Sequence, residues 1–95
     1  MKLSDIHVQG KNIGAETIFK TTEGRVTALQ IIENALLKEH ITQVPAILVC
    51  VVGEVVFENA DGLQQRLTSG DYINIEPMVT HWVKGIQNSQ LLLIK

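Results

Sequence analysis

The stretch HITQVPAILVCVVGE, His40 to Glu54, decides how the rest of the chain is read. Pro45 and Gly53 bracket the run from Ala46 to Val52, which is dominated by β-branched side chains. Such side chains suit a pleated surface, and proline and glycine mark where a strand begins and ends. Residues two apart on a strand share a face. Ala46, Leu48, Cys50 and Val52 are therefore expected on one side and Ile47, Val49 and Val51 on the other. Both sets are apolar. A sheet with one wet face alternates apolar with polar, so this strand is expected to be covered on both sides. One cover is the core. The other is expected to be a second copy of the chain, making a homodimer over Ile47, Val49, Val51 and part of the last strand, Leu91 to Ile94. The alternative cover is residues 1–20 folding back across the same face.

Outward from this strand, short apolar runs alternate with turn residues along the whole chain. Thr22-Glu23-Gly24 closes one run, and Asn34 divides Val26–Ile32 from Leu36–Ile41. Asn59-Ala60-Asp61-Gly62 is a hairpin signal, because Asp-Gly tolerates positive φ without steric cost. Ser69-Gly70-Asp71, Pro77 and the Gly85–Asn88 segment complete the punctuation. Eight or nine short strands at this spacing predict an all-β barrel or sandwich. Thr27 to His40 also carries helix formers, with apolar residues over much of a helical face. The short strands that flank it and the lack of a clean cap favour strands there.

Bulk properties exclude several function classes. Hydrophobic residues make up 45% of the 95, so the chain is globular, and with only 4% aromatic its core must be Val, Ile and Leu. The net charge of −2 without a Lys/Arg cluster argues against a nucleic-acid partner. No apolar run approaches the roughly 20 residues of a membrane span, and Met1 to Gly10 do not resemble a signal peptide. A single cysteine, Cys50, excludes an intrachain disulfide and a cysteine-based zinc site. Mid-strand among hydrophobes, Cys50 reads as a core residue with a raised thiol pKa, not a nucleophile. A cytoplasmic setting follows from these features. No Ser-His-Asp arrangement and no phosphate loop is legible.

The segment from His40 to His81 resembles the cupin superfamily. The first cupin motif runs His-x-His, three or four residues, Glu, six residues, Gly. Counted back from Gly53, its positions fall on His40, Thr42 and Ala46. The second runs Gly, five residues, Pro-x-Gly, two residues, His, and here reads GDYINIEPMVTH from Gly70 to His81. Glu76 stands at the usual proline and Met78 at the usual glycine. The likeness implies a cupin-type double-stranded β-helix, a jelly-roll barrel over residues 16–95 with residues 1–15 as an arm or edge strand. It also supports strands over Thr27–His40.

In cupins the residues at these positions point into the barrel and hold a metal. The resemblance therefore makes His40, Thr42, Ala46, Leu48 and His81 the candidate ligand-binding set. His40 and His81 are candidate ligands for a divalent Fe, Ni, Mn or Zn ion. Thr42 is a poor ligand and Ala46 cannot ligate, so two of four inward donors are missing. Three roles stay open for His40 and His81: a weakened metal site, polar anchors for a small organic ligand, or structural hydrogen bonds at the barrel mouth. Two functions follow. One is a small-molecule-binding module that is non-catalytic or weakly metal-dependent. The other is a metal-dependent enzyme, a dioxygenase or isomerase, with a two-histidine site. A filled barrel acting as an interaction protein is a third option. Glu16, Glu54, Glu58 and Glu76 read mainly as surface charge. His7 is expected to be solvated, and Trp82 to point away from His81.

Overall fold

Nine strands follow a short 3-10 turn at Leu3–Ile6 in a computed structural model that describes residues 1–95. They are β1 (Ile13–Lys20), β2 (Arg25–Ile31), β3 (Leu36–His40), β4 (Ala46–Val52) and β5 (Glu54–Asn59). β6 (Gln64–Thr68), β7 (Tyr72–Ile75), β8 (His81–Gly85) and β9 (Ser89–Ile94) complete them. No α-helix is present, and no helix is long and apolar enough to cross a membrane. The Thr27–His40 stretch is two strands separated at Asn34, whose φ of 67° turns the chain. Asparagine accepts this left-handed conformation more readily than most residues.

The strands form two antiparallel sheets, ordered β1-β2-β9-β4-β7 and β3-β8-β5-β6. Their facing sides make one core. Ala46, Leu48 and Cys50 of β4 lie beside Leu29, Ile31 and Leu91 from the larger sheet. Val55, Phe57, Leu67 and Val83 come from the smaller one. Three of the expected turns are held by local polar contacts. The Thr21 hydroxyl accepts the N–H groups of Glu23 and Gly24 at 3.2 and 3.1 Å. The Asn59 carboxamide oxygen accepts those of Asp61 and Leu63 at 3.0 and 3.1 Å. The Asp71 carboxylate accepts the backbone N–H and the hydroxyl of Thr68, and these bonds hold its pKa below the usual range.

Two expectations are corrected here. Val52 does not face the core. The β4–β9 register slips between Cys50 and Val52, and this bulge leaves Val51 and Val52 both on the outside. His7 is not solvated but buried, with only 8% of its surface exposed. Its side chain lies against Gly14, where any Cβ would collide with the imidazole. The expected core role of Cys50 is observed: it is fully buried and free, and burial raises its thiol pKa, with Asp71 and Glu54 adding to the effect.

Candidate functional site

His40 reaches the interior by an irregularity. Leu37 faces Val83 inside the barrel, and from there strict alternation would turn His40 outward. The β3–β8 register shifts between Leu37 and His40, so one extra residue on β3 restores the inward aim. His40 then stands directly across the ladder from His81. The ring centroids are 4.1 Å apart in an edge-on arrangement. His81 is buried and stacked on Phe57 at 5.4 Å, whereas His40 sits nearer the surface.

Both rings are oriented by the backbone. Nδ1 of His40 lies 2.8 Å from the Lys38 carbonyl, and Nδ1 of His81 lies 3.1 Å from that of Val79. A carbonyl only accepts, so each Nδ1 carries a proton, and an imidazole that is neutral in this arrangement has Nε2 as its acceptor. Burial pushes the His81 pKa down, and the nearby His40 and Lys95 act in the same direction against the Val79 bond. His81 is thus held in its neutral form.

The pair lines a cavity of about 110 Å³, whose remaining wall is Leu29, Leu37, Leu48, Ile75, Val83 and Leu93. The two imidazoles are its only polar side chains. Of the five expected ligand residues, the fold brings His40, Leu48 and His81 to this cavity. Thr42 is buried outside its wall, where its hydroxyl donates to the Val44 carbonyl and its own carbonyl accepts the Met78 N–H, each at 2.8 Å. Ala46 lines a separate crevice of about 390 Å³ with Ile47, Ile75 and Glu76. Phe57 and Leu37 are site residues that the motif positions do not reveal. Phe57 was detectable as the inward alternate of Val55 between Glu54 and Glu58.

Two of the four candidate glutamates are engaged elsewhere. Glu54 pairs with Arg66 at 2.8 Å and Glu58 with Lys84 at 3.0 Å on the outside of the smaller sheet. The Trp82 indole donates to Glu58 at 2.8 Å, on the side opposite His81 as expected. Lys84 and Trp82 hold the Glu58 carboxyl below its usual range.

A resident metal ion needs more donors than this site offers. No group of three or more His, Cys, Asp or Glu side chains assembles anywhere in the molecule. Two imidazoles alone fall short of the three or four protein ligands of a stable transition-metal site, so the donor set does not fit one.

Comparison with solved structures gives the architecture its name. A cupin superfamily protein from Desulfitobacterium hafniense superposes with a TM-score of 0.86 at 14% identity, over 98% of this chain and 84% of its own. An RmlC-like cupin from Shewanella frigidimarina gives 0.81 at 19%, over 93% and 78%. This is the cupin fold. KdgF from a Halomonas species shares it, with a TM-score of 0.82 at 17% identity over 93% and 82%. No protein-family model and no curated protein sequence matches the chain. At these identities the likeness establishes the cupin fold and nothing about chemistry.

The cupin register explains one strained residue. Met78, at the position where the cupin motif has glycine, has φ of 68°. A side chain in this left-handed region costs about 1–2 kcal/mol, and 63% of the Met78 side chain's residue surface is exposed, so little packing offsets it. Met78→Gly is expected to stabilise the fold by about 0.5–1 kcal/mol, once the greater entropy of unfolded glycine is subtracted. Urea denaturation checks this, as a higher midpoint at unchanged slope.

Proposed function

We propose that the protein is a metal-free small-molecule-binding module. The ligand's apolar body occupies the interior cavity, and a donor group on it reaches Nε2 of His40 or His81. The observation that carries this reading is the imidazole pair itself. Two rings tied through Nδ1 to backbone carbonyls are the only polar side chains in an otherwise aliphatic wall. A ligand that donates to an imidazole in this wall gains a hydrogen bond, while an isostere that lacks the donor does not. The volume, close to that of three or four water molecules at ~30 Å³ each, sets the size of the buried portion. The single buried thiol accords with a reducing, cytoplasmic setting.

The second reading is a metal-dependent enzyme, a dioxygenase or isomerase. Nδ1 bonding to a backbone carbonyl is how metal-bound histidines are commonly oriented, which favours it. The missing donors weigh against it.

Pyrrole and furan separate donor recognition from mere filling, because they share size and shape and only pyrrole has an N–H. Pyrrole is expected to bind roughly 3- to 10-fold more tightly than furan, the worth of one hydrogen bond. NMR titration reads both. His81→Leu is expected to abolish the difference while leaving a cavity. Equal affinities in the wild type, or a difference that survives His81→Leu, would remove the basis for this function.

A further inference from the structure

The N-terminal arm folds back over one corner of the larger sheet's outer face. His7 lies against Gly14, which pairs across the β1–β2 ladder with Gln30, and Gln30 pairs across the β2–β9 ladder with Gln90. Residues paired across a ladder point their side chains to the same face. One row of the sheet therefore carries His7, Gln30 and Gln90 together. That row holds every buried side-chain polar atom without a hydrogen-bond partner: Nδ1 and Nε2 of His7 and Oε1 of Gln90. Folded proteins satisfy nearly all such atoms, so their gathering in one row calls for a cause.

Beside the row, arm and sheet flank a pocket of about 600 Å³, within the range of about 300–1,000 Å³ typical of small-ligand sites. The arm lines it with Ser4, Gln9 and Lys11, and the sheet with Gln30, Asn88 and Gln90. Ile32 is its only apolar side chain. The carboxamides are partly committed. Gln90 Nε2 donates to Gln30 Oε1 at 2.8 Å, and Asn88 Oδ1 accepts the Glu33 N–H at 2.9 Å. What is left is one buried acceptor, Gln90 Oε1, and the NH2 groups of Gln30 and Asn88 as donors. One backbone bond, from the Ile32 N–H to the Asn12 carbonyl at 3.2 Å, ties the arm to the barrel.

We propose that this pocket binds a neutral polyhydroxylated molecule, of the sugar or cyclitol class, between the arm and the sheet. A hydroxyl both donates and accepts. Neighbouring hydroxyls on one ring can therefore donate to Gln90 Oε1 and accept from Gln30 and Asn88. A carboxylate only accepts, so it would leave Gln90 Oε1 unpaired despite the charge of Lys11. An apolar ligand would strip water from a polar lining and return no hydrogen bond. The pocket shares no residue with the interior cavity. Its ligand adds polar ties between arm and sheet, where His7 supplies only packing.

NMR titration of the full chain tests the proposal with myo-inositol, which bears a hydroxyl on every ring carbon, and cyclohexanol, the same ring with a single hydroxyl. Myo-inositol is expected to shift the side-chain NH2 signals of Gln30, Asn88 and Gln90 and to leave the backbone amides of Leu48 and Val83, beside the interior cavity, in place. Its affinity is expected to exceed that of cyclohexanol roughly tenfold or more, since several hydrogen bonds separate the two. Gln90→Leu removes the buried acceptor and is expected to weaken myo-inositol binding about tenfold. Gly14→Ala puts a Cβ where the His7 imidazole lies, so it is expected to unseat the arm and weaken binding while the β4 and β9 amide signals persist. Gln90→Leu serves if Gly14→Ala does not fold. Myo-inositol binding no tighter than cyclohexanol, full affinity in either folded variant, or acetate binding more tightly than myo-inositol would overturn the proposal.

Discussion

Phe57→Ala is expected to cost about 3–5 kcal/mol, as removal of a fully buried aromatic ring does. Phe57 is 1% exposed and is the largest fully buried side chain in a chain with few aromatics. Its ring fills the space between the sheets and also stacks on His81 at 5.4 Å. Native domains have only about 5–15 kcal/mol in total, so this variant should be barely stable. Chemical denaturation measures the loss directly. Phe57→Leu keeps most of the apolar volume and should cost far less. It removes the stacking that holds the His81 ring, so the preference for pyrrole over furan should shrink in a protein that remains folded. A loss below about 1.5 kcal/mol for Phe57→Ala would mean that the core relaxes into the vacated space, contrary to the tight packing described.

Gly53→Ala is the second large effect, at roughly 3 kcal/mol, from two sources that can be separated. Gly53 has φ of 103°, in the region that disfavours a side chain. A Cβ there would also collide with the Ser89 hydroxyl and the Asn88 carbonyl. Ser89 cannot yield freely. It is fully buried, and its hydroxyl accepts the Glu54 N–H at 3.0 Å, tying the start of β9 to the start of β5. Gly62 provides the comparison, with φ of 90° and open space around the same position. Gly62→Ala should therefore carry only the backbone strain, about 1–2 kcal/mol. A domain of this size loses about 4–8 °C of melting temperature per kcal/mol, so the two variants should differ clearly. Equal losses would show that the contact with β9 is unimportant.

Much of the fold was legible because its signals are local. Pro45 and Gly53 delimit β4, and the Asn59–Gly62 and Ser69–Asp71 turns fall where Asp, Asn and Gly place them. Alternation identified Leu48 and Cys50 as interior residues. The sequence failed where a bulge intervenes, because a bulge shifts the period by one residue without a distinctive composition. That is why Val52 faces outward. It is also why His40, although correctly placed inside, gets there by an extra residue between Leu37 and itself. His7 was misjudged for another reason. Its burial depends on the missing side chain of Gly14, a contact that only the folded arm creates. At the site, the motif positions located both histidines. Motif spacing could not show that Thr42 serves the loop carrying Met78, or that Ala46 opens onto a different crevice.

The cavity, the oriented imidazoles and the shortage of further donors support one proposal: a cupin fold whose interior would recognise a donor on a small molecule without a metal. The most direct test is a calorimetric titration of tag-free protein with Zn(II), Ni(II), Mn(II) and, without oxygen, Fe(II). The account predicts no stoichiometric binding in the wild type and no change on His40→Ala or His81→Ala. One ion bound per chain, lost in both variants, would contradict it.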